Sequence, residues 1–106
     1  MNPAFVLARR YRIQIEYADL GDWGVDELRS EYDPDGPVIR VNKRIIEHLP
    51  IAEIGGFIAF CVAHELYHHR EHCGEIEQLR DRAARETAAN TFARQLVGFA
   101  GPTATA

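Results

Sequence analysis

Residues 51–72, IAEIGGFIAFCVAHELYHHREH, constrain this chain more than any other part of it. Gly74 just beyond the run is a natural helix stop, and Pro50 before it closes the short helix that precedes. Between them Ile54, Phe57, Ile58 and Cys61 recur at helical spacing and form an apolar stripe. Continued by one more turn, the stripe runs into His64, Glu65 and His68. A face that should be buried in hydrocarbon therefore turns to imidazole and carboxylate, and the fold has to supply something that accommodates them.

His64-Glu65-Leu66-Tyr67-His68 is an H-E-x-x-H pattern. Residues i and i+4 lie one turn apart on one helix face, ~6 Å along the axis, so two imidazoles can point at one ion. Zn²⁺ accepts nitrogen ligands at ~2.0–2.1 Å. Glu65, one step after the first histidine, stands beside such an ion and can take a proton from water held there. The pattern is short enough to arise by chance, so a further ligand has to come from elsewhere in the chain. His69 and His72 share the helix but fall off the ligand face and are expected in solvent, as is His48.

A last helix is predicted over Glu75 to Val97. Its apolar positions Ile76, Leu79, Ala83, Ala93 and Val97 are spaced by three and four, and filling the gap in that register selects Glu86 and Asn90. An ionised carboxylate on a buried face costs several kcal/mol unless something pairs with it. Two helices thus each carry a polar anomaly that a shared metal ion would resolve.

These residues also carry a resemblance. H-E-x-x-H followed by Glu86-x-x-x-Asn90 resembles the gluzincin metallopeptidases, in which a downstream helix supplies a glutamate ligand. More narrowly, AHELYH together with ETAANTFA, and the upstream step VIRVN, is similar to the ImmA/IrrE family of small metallopeptidases. The likeness spans roughly residues 35 to 97. It implies a zincin-like fold, one Zn²⁺ held by His64, His68 and Glu86, and Glu65 as general base. Asn90 stands where gluzincins use an aspartate to orient a ligand histidine, a role its side-chain oxygen can fill. The resemblance also implies a protein or peptide substrate, such as a helix-turn-helix repressor. Tyr67 replaces the glycine of the family's H-E-L-G-H, and Leu96-Val97-Gly98-Phe99 replaces its apolar-Met-Pro ending, so differences are expected in substrate specificity.

The rest of the chain reads as a small α+β domain over residues 1–97 with a flexible tail over 98–106. Pro3 to Arg10 suits a short helix, and Tyr11 to Tyr17 alternates like a half-buried strand. After a turn at Gly21-Asp22-Trp23-Gly24, further strands are predicted over Glu27–Tyr32 and Pro37–Val41. Between them Asp33-Pro34-Asp35-Gly36 forms a turn, with proline fixing φ early and glycine accepting φ > 0 late. These segments predict a small antiparallel sheet. Asn42 caps a short helix over Lys43 to His48. An edge strand flanking the 33–36 turn is expected to bind substrate backbone.

A net charge of −4 and a pI near 5.7 exclude the basic face that nucleic-acid binding needs. Arg9-Arg10-Tyr11-Arg12 is the one concentrated positive patch and reads as a solvated helix end. No signal peptide and no membrane span are read from the sequence. Cys61 and Cys73 on one helix lie ~18 Å apart, too far to pair, and a cytoplasmic location is expected. Cys61 is expected in the core. Tyr67, Tyr32 and His69 are the candidates for stabilising an oxyanion. The leading expectation is a zinc endopeptidase. The alternative is a metal-binding protein that acts by protein contact without turnover.

Overall fold

The computed structural model describes residues 2–21 and 28–98. Three of the sequence expectations fall outside these residues: the turn at 22–24, the start of the second strand at Glu27, and the tail over 99–106.

Helix α1 covers Pro3–Arg10. Asn2 caps it, its Oδ1 accepting from Ala4 N at 2.9 Å, and Ala4 and Ala8 are buried. Arg9, Arg10 and Arg12 are exposed, as expected for a solvated end. Arg12 has φ 57°, and this left-handed turn delays strand β1 to Gln14–Ala18, later than the alternation at Tyr11 suggests. Strands β2 (Ser30–Asp33) and β3 (Val38–Asn42) follow.

The sheet order is β1-β3-β2. β2 and β3 form an antiparallel pair, with Tyr32 opposite Ile39. β1 pairs with β3 in parallel, with Ile15 opposite Ile39, so the sheet is mixed and the expected antiparallel sheet is corrected. The reason is that β3 inserts between the two strands that precede it. Alternation along a strand fixes which face is buried and says nothing about the direction of its neighbour. Central β3 is accordingly the most buried strand, with Val38, Ile39, Val41 and Asn42 all inside.

In the β2–β3 turn, Gly36 is not at positive φ as expected; the described glycines that are lie at 21, 74 and 98. Its reason is close approach: a Cβ there would lie 2.8 Å from Val38 N. Helix α2 is shorter than predicted, Lys43–Ile46. Its cap Asn42 is fully buried. Oδ1 accepts from Arg44 N and Leu20 N at 3.1 and 3.2 Å, and Nδ2 donates to Gly21 O and Leu28 O at 3.2 and 2.7 Å.

Helix α3 runs Ile51–His72, the predicted span. Gly74 at φ 77° donates to Glu71 O at 3.2 Å, and Glu75 N donates to Arg70 O at 3.0 Å, closing the helix with a Schellman motif. The buried surface is broader than one stripe. Phe57, every residue from Ala59 to Ala63, and Leu66 are inside, because α3 packs against α1, α4, β2 and β3.

Helix α4 covers Arg82–Val97, starting seven residues later than predicted. Asp81 sets the start, its Oδ2 accepting from Ala84 N at 2.8 Å. Ile76 and Leu79 therefore belong to a non-helical connection. Ala83 is exposed, and the buried residues of α4 are Ala89 and Ala93, with Phe92, Leu96 and Val97 packed at their margin. The outcome is a small α+β fold in which a three-stranded mixed sheet packs against two long helices. No described helix is long and apolar enough to cross a membrane.

Candidate metal centre

His64, Glu65 and His68 project from the C-terminal half of α3, and one donor atom from each lies within 4.8 Å of the others. The two Nε2 atoms face each other at 3.3 Å. A tetrahedron with ~2.0–2.1 Å bonds has edges of about 3.3–3.4 Å, so the pair is spaced as two corners of a zinc site.

What lies behind each ring fixes its proton. His64 Nδ1 is 2.8 Å from Asn90 Oδ1, and His68 Nδ1 is 2.8 Å from Glu71 Oε1. Both partners are acceptors, so each Nδ1 carries hydrogen and donates. In the neutral rings each Nε2 is then a bare lone pair. Two lone pairs converging on one point form a donor pair that a metal ion can share.

Glu86 meets the same point from α4. Its Oε2 lies 2.9 Å from His68 Nε2, and its Oε1 lies 3.5 Å from His64 Nε2. The expectation that this carboxylate is buried is corrected: its side chain is 50% exposed. α4 begins at Asp81, and its buried face is set by Ala89 and Ala93, which leaves Glu86 on the rim with one side toward the histidines.

Glu65 is buried, with Oε2 accepting from Ser30 Oγ on β2 at 2.7 Å. Burial pushes its carboxyl above the usual carboxylate range, opposed by His64 and the Ser30 hydrogen bond and reinforced by Glu86 and Glu31. The carboxylate that contacts both imidazole tips is thus Glu86, and the one held back against the sheet is Glu65.

Glu71 and Arg85 belong to the site and were missed in the sequence. Arg85 holds both oxygens of Glu71, Nε to Oε2 at 3.1 Å and Nη2 to Oε1 at 3.0 Å. Burial alone would raise the Glu71 carboxyl, but the hydrogen bonds from Arg85 and His68 outweigh it and bring it below its ordinary value. The available signal was Glu71 three residues after His68, on the same helix face, where a carboxylate can reach an imidazole.

A cleft of about 440 Å³ opens over the centre, lined by Tyr32 and Pro34, by Glu65 and His68 of α3, and by Arg82, Arg85 and Glu86 of α4 among others. Of the three oxyanion candidates, Tyr32 lines it and the other two do not. Tyr67 packs on Phe92, ring centroids 6.1 Å apart. His69 was expected in solvent and is buried. Tyr11 packs edge-on to it at 4.8 Å, its Nδ1 lies 2.7 Å from Tyr32 Oη, and its Nε2 lies 3.2 Å from Cys73 Sγ. That burial holds its imidazole below the ordinary range. His72 and His48 are exposed as expected. Cys61 is buried in the core and Cys73 is exposed, both as free thiols.

Comparison of the chain with known protein families, with curated proteins and with solved structures finds no match in any of the three.

Proposed function

We propose that the chain is a zinc-dependent endopeptidase of gluzincin type on a minimal zincin-like scaffold, similar to the ImmA/IrrE metallopeptidases. The observation that carries this reading is the pair of Nε2 lone pairs 3.3 Å apart, each fixed by an acceptor behind its ring. His64, His68 and Glu86 would hold one Zn²⁺, leaving a position open to the cleft, which is the donor set and vacancy of a catalytic zinc site. Bound there, zinc polarises a scissile carbonyl and lowers the pKa of water toward ~7.

The chain's own groups do the rest. Glu65 takes the proton from water and passes it to the leaving amine. Ser30 engages Oε2, which leaves Oε1 for that proton, and burial favours the protonated carboxyl once it has formed. Asn90 and Glu71 hold the two imidazoles in the tautomer that offers Nε2. Tyr32 lines the cleft wall with Oη 2.7 Å from His69 Nδ1; accepting from that nitrogen, the phenol would keep its own O–H for a developing oxyanion. β3 is paired on both sides, so a substrate backbone adds to the outer edge of β2. The resemblance suggests a repressor protein as substrate, and the two free cysteines favour a reducing, cytoplasmic setting.

The test is Glu65→Gln. The variant is expected to bind one zinc per chain as the wild type does and to lose cleavage of a denatured protein substrate. Cleavage at the wild-type rate would remove Glu65 as base. A wild-type protein that holds zinc and cleaves nothing would replace this reading with metal binding that acts through protein contact.

A further inference from the structure

The geometry points to a carboxylate-binding subsite in the cleft beside the metal centre, formed by Arg82, His72 and Gln78, that selects extended peptides carrying an aspartate or glutamate side chain. The inference rests on the peptidase reading for the idea that the ligand is a peptide. The rest of it comes from which cleft groups are already committed.

All three carboxylates lining the cleft have partners. Glu71 is held by Arg85 and His68, Glu65 by Ser30, and Glu86 stands against both imidazole tips. Arg85 is likewise engaged by Glu71. Arg82 differs. It lines the same cleft, yet its guanidinium has no hydrogen bond or ion pair among the described residues, although Glu86 follows one turn later on α4. Gln78 and His72 also line the cleft. Among the described residues neither has a hydrogen bond; His72 meets the Tyr32 ring at 6.2 Å between centroids and acts electrostatically on His69.

Arginine offers five N–H donors, glutamine two and histidine at least one, so three residues of one cleft lining present unspent donors. The chemistry they share is recognition of a carboxylate. Arg85 is spent on Glu71, so Arg82 is the arginine of the lining whose charge has no partner among the described residues, and it selects ligands locally. A strand added along β2 presents alternate side chains across the cleft, which is how an acidic residue at one register position reaches Arg82. A peptide's own C-terminal carboxylate has the same chemistry, so the experiment separates the two.

Three fluorescein-labelled peptides of one sequence are titrated against the zinc-loaded Glu65→Gln protein, which blocks turnover, and binding is read by anisotropy. The first has a central aspartate–glutamate pair and an amidated C-terminus, the second has the matching asparagine–glutamine pair and is amidated, and the third is the second with a free C-terminus. The acidic peptide is expected to bind roughly fivefold more tightly than its neutral match, less so as salt rises. Adding Arg82→Glu should abolish that preference and favour a lysine-bearing peptide. Arg82 is exposed at the first turn of α4, where an acidic residue is compatible with the helix, so this variant should fold. Equal binding, absence of binding, a preference that survives Arg82→Glu, or tight binding only of the free C-terminus each overturns the subsite. Wild-type cleavage of neutral and acidic peptides at equal rates overturns it and leaves the peptidase reading standing. Selective binding of the acidic peptide without cleavage by the wild type does the reverse.

Discussion

Replacing Glu71 with glutamine keeps the side chain's shape and removes its charge. In the native site its Oε1 receives His68 Nδ1 at 2.8 Å while Arg85 holds both oxygens, and the side chain is 2% exposed. A hydrogen bond to a charged group contributes roughly 1.5–3 kcal/mol net, against about 1 kcal/mol for a neutral one. The exchange therefore costs about 0.5–2 kcal/mol at the His68 contact, and it weakens the basicity and aim of Nε2. That corresponds to about a tenfold loss of zinc affinity, at the low end of the roughly 10–100-fold range for partners behind a ligand histidine. Zinc affinity is measured by competition with a chromophoric chelator, alongside thermal melting of the metal-free protein. The expected result is a dissociation constant raised about tenfold, with some loss of metal-free stability because Arg85 loses its anionic partner. A lowered melting temperature with unchanged zinc affinity would refute the reasoning, since it would make Glu71 a packing element only.

Glu86→Ala removes a proposed ligand from an exposed position, so the chain should fold and its zinc affinity should fall at least about 100-fold, taking structural sites of roughly 10–16 kcal/mol over four ligands as the scale; full zinc occupancy at equal concentration would remove Glu86 from the ligand set. Tyr32→Phe should lower kcat roughly 100-fold with KM and zinc content little changed, and a change confined to KM would make the phenol a binding group. Burial pushes the Cys61 thiol up from 9.0 to about 12, so the unfolded chain releases its proton first and stability is lost as pH rises from about 9 toward 12, by roughly 1–1.5 kcal/mol at pH 10. Denaturant titrations of the wild type and Cys61→Ala measure this, the alanine variant lacking that part of the slope. A thiol reagent should label only Cys73 in the native chain.

The parts of this molecule legible in its sequence are those that local chemistry decides. Gly74 stops α3 because a glycine at positive φ after a helix acts within a few residues. Asn42 was readable as a cap, but its bonds to Gly21 and Leu28 depend on the folded chain and were not. Strand pairing was misread because β3 enters between β1 and β2, a long-range event that period-two alternation does not encode. The start of α4 was misplaced because Ile76 and Leu79 happen to keep helical spacing, while the cap at Asp81 was overlooked. Glu86 was singled out as a buried charge, yet it is half exposed and reaches the histidines from the rim. His69 was placed in solvent, because the wedge between Tyr11 and Tyr32 that buries it joins residues far apart in sequence.

The thin buried face of α4 has a consequence for how the molecule holds together. Ala89 and Ala93 are fully inside, and Phe92, Leu96 and Val97 pack beside them, so the apolar hold on α3 lies in the C-terminal half of the helix and is slight at the first turns that carry Arg85 and Glu86. The ligand set proposed for zinc spans both helices, and an ion bound there would act as a removable cross-link between them. Its contribution follows mass action and grows with the logarithm of free zinc over its dissociation constant. Hydrogen exchange of α4 amides should then quicken on chelation well before that of the central strand, making the metal a clasp whose release loosens one helix and leaves the sheet intact.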